Sequence, residues 1–268
     1  MALIKAGILF ILTAMLCSTS AIAATSQWHD LGGGKVRLVV YADPTNSEIN
    51  GVVEVQLEPG WSTYWRYPGS SGIPPTFDFS RSKGFSNQPV LFPTPALQSV
   101  DGLGYAGYKG NVSFPFSGVG ELSSQSKISL KLLIGLCREV CIPAIADIEI
   151  NGQDLLKSDQ VAFNTVLAAR SKLPQIAAIP DLPLSIKPVT DKQFEVIIEH
   201  NDQGGTKPVM FVEGPAKWRL LPSKRIKHEG NRHWFVLDLS AAPQNVDLIR
   251  EVIRFTFAFG ATGIEIRP

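Results

Sequence analysis

The chain is 268 residues long and carries 25 lysines and arginines against 24 aspartates and glutamates, a formal charge of +1. So even a balance gives no electrostatic case for nucleic acid or an anionic membrane surface as partner.

The opening segment, MALIKAGILFILTAMLCSTSAIAAT, has one positive charge (Lys5), an apolar run from Ala6 to Leu16, and small residues around Ala21 to Ala23. This is the layout of a secretory signal peptide, expected over residues 1–23. The run is shorter than the roughly 20 apolar residues of a bilayer-spanning helix. Cys17 leaves with the leader, because bulky Leu16 precedes it where a lipoprotein site requires a small residue. Loss of Lys5 brings the basic residues level with the 24 acidic ones. No second long apolar segment follows, so the exported protein is expected to be soluble, with no membrane insertion after cleavage, in a compartment where disulfides persist. The remaining length fits one large β domain or two ordinary ones.

Alternation with a period of two dominates the first half. Val36, Leu38 and Val40 fall on one face; so do Val53, Val55 and Leu57, then Val112, Phe114 and Phe116, then Ile128, Leu130, Leu132 and Ile134. Turn-forming stretches (LGGGK, DPTNS, EPGWS, YPGSSGIPP) separate these runs. Half-buried antiparallel strands are predicted, in a β-sandwich over residues 24–156. From about Asp159 to Lys172 the period changes and neither Gly nor Pro occurs; a helix capped by Ser158 is expected. A proline-marked linker, LPQIAAIPDLP, completes the connection at 157–181. Strand patterning then resumes over 182–268, with Phe194, Val196 and Ile198; Val209 and Phe211; Phe235, Leu237 and Leu239; Phe255, Phe257 and Phe259; Ile264 and Ile266. The fold class expected is all-β: two sandwiches joined by a short helix and a linker. Trp218 and Trp234 are read as core of the second.

The chemistry centres on IGLCREVCIPA, where Cys137 and Cys141 are four positions apart. On a helix their Cβ atoms would lie about 5–6 Å apart, whereas a disulfide needs about 3.8 Å. On two strands joined by a three-residue turn they become neighbours at about 4.5–5.5 Å, and small adjustments close the bond. The flanks support the strands, and Pro143 rules out a regular helix directly after the pair. A bridge this local removes little unfolded-state freedom, about 2 kcal/mol, so it is a weak staple. A redox pair would work by forming a mixed disulfide that the second cysteine resolves. A metal clip would need further ligands, and His29, His200, His228, His233 and Met210 are scattered in sequence. Staple, redox pair and clip all remain open on these grounds. The aromatic residues Trp61, Tyr64, Trp65, Tyr67, Tyr105 and Tyr108 suit either a core or a docking or sugar-stacking face. Arg66 can stack on Trp65 or pair with Asp78, and the Pro93 to Pro95 segment reads as an edge or loop.

WSTYWRYPGSSGIPPTFDFS (Trp61 to Ser80), GYAGYKGNVSFPF (Gly104 to Phe116) and LCREVCIPA together resemble the N-terminal periplasmic domain of the thiol:disulfide interchange protein DsbD family, including its copper-sensitivity suppressor relatives. The likeness spans roughly Trp28 to Asn151. It implies an immunoglobulin-like sandwich without a cofactor, and electron transfer between a membrane-embedded thiol carrier and periplasmic thioredoxin-like proteins. By the same resemblance, Cys141 forms the mixed disulfide and Cys137 resolves it. A cap loop, here SVDGLGYAG, contributes Leu103 and Tyr105 as shielding side chains and Asp101 as an influence on thiol ionisation. Trp65, Arg66 and Tyr108 are candidate partner-docking residues. Full-length family members add transmembrane helices and a thioredoxin-like domain that this sequence does not show, which implies a stand-alone protein that either is supplied by a separate membrane partner or has turned to another task. The alternative is a protein- or glycan-binding module whose disulfide is purely structural, and copper handling is a third reading.

Overall fold

The computed structural model describes residues 24–42, 47–69, 72–100, 103–157, 160–178, 184–201, 207–215, 218, 220–240, 242 and 254–267. The expected signal peptide with Cys17, the helix cap Ser158, and Asp101 of the cap loop lie outside them.

In chain order the first unit has β1 (Ala24–Thr25), β2 (His29–Asp30), β3 (Gly34–Ala42), β4 (Glu48–Leu57), β5 (Ser62–Tyr64), β6 (Thr76–Asp78), β7 (Ser86–Asn87), β8 (Ala96–Val100), β9 (Leu103–Lys109), β10 (Asn111–Val119), β11 (Lys127–Cys137) and β12 (Cys141–Asn151). Two helices follow, α1 (Gly152–Leu155) and α2 (Gln160–Arg170). The second unit has β13 (Gln175–Ala178), β14 (Leu184–Pro188), β15 (Gln193–Glu199), β16 (Val209–Glu213), β17 (Ser223–Lys224), β18 (Lys227–Glu229), β19 (Arg232–Asp238), β20 (Arg254–Phe259) and β21 (Thr262–Arg267).

One sheet of the first unit runs β1-β3-β4-β10-β7, with β2 added to β3. The other runs β12-β11-β5-β9-β8, with β6 added to β11. Val36, Leu38, Val40, Val53, Val55, Phe114 and Phe116 of the first sheet meet Ile128, Leu130, Leu132 and Ile134 of the second in one core. The alternating positions of the sequence thus form the inner faces.

The doublets Val39-Val40 and Val52-Val53 show that β3 and β4 are covered on both sides. Helix α2 lies on the outer face, where Val166 and Ala169 pack with Val52. Phe163 meets Tyr41 edge-on at 5.1 Å, and Arg170 donates to Asn50 Oδ1 at 2.7 Å. Of the apolar residues in the helix, Ala162, Val166 and Ala169 are buried while Val161 and Leu167 face solvent.

In the second unit the sheets are β13-β21-β20-β16-β17 and β14-β15-β19-β18. Two features depart from the sequence reading. Part of the expected linker is strand β13, which pairs in parallel with β21. Pro174 precedes it, and proline is compatible with such an edge position. The inward face of β16 is also the reverse of the one expected: Met210 and Val212 fill the second core, and Phe211 joins the first. The strand lies between the two units and is apolar on both faces, so its period alone does not say which face belongs to which core. Trp218 is in the second core, whereas Trp234 lies on the other face of β19 beneath the Lys227 ammonium at 4.8 Å. Among the described residues no helix is long and apolar enough to cross a membrane.

Candidate functional site

The β11–β12 ladder is unbroken from Lys127 opposite Asn151 to Cys137 opposite Cys141. Arg138, Glu139 and Val140 form the bend between them. Cys137 and Cys141 are joined by a disulfide across this bend, with Cα atoms 4.1 Å apart, the strand–turn–strand geometry expected from the spacing. The two cysteines differ in access. Cys137 is 0 % exposed, while Cys141 is exposed and follows Val140, which is 71 % exposed.

Strand β5 is inserted beside this hairpin, with Ser62 opposite Cys137 and Thr63 opposite Leu136, and pairs with β9 on its other edge. Three consecutive side chains of β5 secure it. Ser62 Oγ donates to the Cys137 carbonyl at 2.9 Å, and Thr63 Oγ1 to the Gly135 carbonyl at 2.8 Å. Tyr64 donates its hydroxyl proton to Cys141 Sγ at 2.9 Å. The Tyr105 hydroxyl is 2.6 Å from Ser62 Oγ, its ring is 5.0 Å from that of Tyr64, and both tyrosines pack with Cys137.

Glycines make room for this arrangement. A Cβ at Gly135 would stand 2.7 Å from the Tyr64 ring; so would one at Gly72, whose φ of 138° is also outside the usual range of L side chains. Burial raises the Tyr64 pKa, and the neighbouring Tyr105 adds to the effect. The phenol therefore remains a proton donor well into alkaline pH.

Tyr105 thus reaches the cysteine pair, and Leu103 opens β9 opposite Val100. The expected docking residues lie elsewhere. Trp65 is 1 % exposed and its ring is 5.7 Å from Phe211 of the second unit. Arg66 stacks on Trp65 at 4.5 Å and binds Glu213 and Glu265, leaving Asp78 to the backbone of Ser80. Tyr108 is buried, and its hydroxyl donates to the Pro93 carbonyl at 2.8 Å. These three side chains gather at or beside the seam between the units and not on a face open to a visitor.

Sequence reasoning placed Tyr64 among the aromatics but gave it no role at the sulfur. Period two puts Ser62 and Tyr64 on one face of β5, yet nothing local links residue 64 to residue 141. Among the described residues no three histidine, cysteine, aspartate or glutamate side chains converge to hold a metal ion.

The first unit is thus a two-sheet antiparallel sandwich of immunoglobulin-like type, with a disulfide at the end of a hairpin and one of its cysteines accessible. Residues 36–151 match the family described as thiol:disulfide interchange protein DsbD, N-terminal. The crystal structure of the N-terminal periplasmic domain of ScsB from Proteus mirabilis has the same fold. It aligns with a TM-score of 0.73 over 92 % of this chain and 98 % of that one, at 20 % identity. No curated protein matches the sequence.

Proposed function

We propose that this chain is a soluble periplasmic thiol–disulfide interchange protein that passes electrons between a membrane-embedded thiol carrier and periplasmic thioredoxin-like proteins through Cys137 and Cys141. The observation that carries this reading is the unequal access of the two cysteines. A thiolate of the reducing partner attacks Cys141 Sγ, the disulfide breaks, and its electron pair leaves on Cys137, which takes up a proton. The partner's second thiol then displaces Cys141, which departs as thiolate, and two electrons have entered the domain. In the forward step the Cys141 thiolate attacks a disulfide of the oxidised protein to be reduced. Cys137 then attacks Cys141 Sγ, restoring the bridge and releasing that protein as a dithiol.

Tyr64 holds the donor this chemistry requires, because a hydroxyl aimed at Sγ stabilises the thiolate relative to the thiol. Contact between Tyr105 and Cys137 supports the cap reading, in which the stretch SVDGLGYAG shields the pair between encounters. The docking surface is best assigned to the hairpin tip around Val140 and Ile142, which are exposed beside Cys141. Trp65, Arg66 and Tyr108 are engaged inside the protein. The same burial leaves the alternative binding-module reading without its aromatic face.

Trapping tests the proposal. A Cys137→Ser variant, unable to resolve, should accumulate a mixed disulfide through Cys141 when mixed with a periplasmic extract, and Cys141→Ser should not. Absence of any trapped species, together with a reduction potential below about −300 mV, the range of structural bridges, would overturn it.

A further inference from the structure

The second unit meets the first where β5 ends, immediately beyond the residue that touches Cys141. The Arg66 guanidinium crosses this seam. Its Nε and Nη2 donate to the two carboxylate oxygens of Glu213 at 2.8 and 2.5 Å, and Nη2 also donates to Glu265 Oε2 at 2.6 Å. Glu265 is 2 % exposed and is shared with Arg267 at 2.6 Å. The Trp65 ring contacts both the Arg66 guanidinium, at 4.5 Å, and the Phe211 ring, at 5.7 Å. The loop that follows is held as well: Tyr67 accepts a hydrogen bond from the Leu220 amide at 3.2 Å, and Gly69 faces the Leu220 carbonyl. A charge pair removed from water is worth keeping only when its hydrogen bonds are well satisfied. Here a forked guanidinium answers two carboxylates, a geometry that fixes direction as well as distance.

We propose that the second unit sets the reactivity of Cys141: Glu213 and Glu265 hold Arg66, and through the Trp65–Arg66 step they fix Tyr64 where it donates to the Cys141 sulfur. Arg66, Glu213 and Glu265 are therefore positioning residues for thiol–disulfide exchange. This rests on the redox reading of the cysteine pair and gives the second unit a task within it. β5 has only three residues; Ser62 and Thr63 are paired on both edges, whereas Tyr64 is paired with β9 alone, so the end of the strand that carries it is the less constrained one. The next two side chains along the chain are clamped by the second unit, so the end of β5 that carries Tyr64 is clamped with them.

The test uses the full chain, reduced, and follows its reaction with the small disulfide 5,5′-dithiobis(2-nitrobenzoate) across pH. Two variants loosen the seam from opposite sides. Arg66→Met leaves the two glutamates to Arg254 and Arg267, and Glu213→Gln/Glu265→Gln removes the carboxylates. Each should move the Cys141 midpoint upward by about one pH unit, a tenfold loss of thiolate near neutrality. The more basic thiolate is also the better nucleophile, which leaves about a threefold slower reaction. Combining all three substitutions should add little, because they act on one contact. In a Tyr64→Phe background the same substitutions should have no further effect. Wild-type midpoint and rate in a folded Arg66→Met variant would overturn the proposal, as would an undiminished effect of the seam substitutions without the Tyr64 hydroxyl. Should the double glutamine variant fail to fold, Arg66→Met alone decides. Mixed-disulfide trapping reads the exchange function and the small-disulfide profile reads the seam, so either can fail without the other.

Discussion

Cys137 and Cys141 form an unequal pair because Ser62 of β5 lies opposite Cys137 and Tyr64 and Tyr105 pack on it, whereas Cys141 at the start of β12 stays exposed. The spacing and flanks made the strand–turn–strand bridge legible in the sequence. The Tyr64 hydroxyl was not legible, since it arrives from a strand 77 positions away in sequence. A hydrogen bond to an ionised group contributes about 1.5–3 kcal/mol, and one pKa unit corresponds to about 1.4 kcal/mol. Tyr64→Phe, which keeps the ring and removes the donor, should therefore raise the Cys141 thiol midpoint by about one unit or more, measured as the pH profile of iodoacetamide alkylation in the reduced protein. Gly135→Ala tests the same contact from the other side. Its methyl group occupies the space of the Tyr64 ring, so the profile should shift upward as in Tyr64→Phe, accompanied by a loss of thermal stability.

At the scale of elements, the long alternating strands β3, β4, β10 and β11 could be read directly, because one buried face leaves a clear period of two. Helix α2 was legible from the change of period and the absence of glycine and proline. What it covers was not, because the doublet Val52-Val53 fits a strand buried on both faces equally well whatever lies outside. Strand β16 shows the same limit more sharply. Val209 and Phe211 alternate as a core face should, but the core that Phe211 joins is the first unit's. Phe211→Ala removes a ring that is 1 % exposed. It should cost about 3 kcal/mol, read from urea unfolding, and should also disturb Trp65 fluorescence; a surface position would show neither. The short strand β13 was not legible because two prolines bracket only five residues, a pattern that reads as linker until a partner strand is available.

At the scale of the whole molecule, the seam joins two cores through a buried ionic cluster that titrates. Burial raises the Glu265 pKa, but Arg66, the Arg267 hydrogen bond and Arg254 outweigh that effect, so its carboxyl titrates below the ordinary glutamate value. The folded state therefore binds fewer protons than the unfolded chain over the interval between those two values. Stability from this group is present above the unfolded glutamate value of about 4.3 and is lost as pH falls through the depressed folded value. Acid unfolding monitored between about pH 5 and 3 should accordingly be steeper for the wild type than for Glu265→Gln. Equal slopes would show that the cluster does not couple to folding.

The sequence by itself determined the all-β class, the inner faces of the long strands of the first unit, the helix between the two units and the strand–bend–strand that makes the two cysteines neighbours. Each of these depends on residues close together in the chain, whose periodicity or spacing records the local backbone. Tertiary structure alone decided that Tyr64 reaches Cys141, that Phe211 belongs to the first core, and that Trp65, Arg66 and Tyr108 are turned inward at or beside the seam. Those contacts join residues far apart in the chain, and a side chain able to serve a core, a seam or a docking face has the same chemistry in all three until the sheets come together.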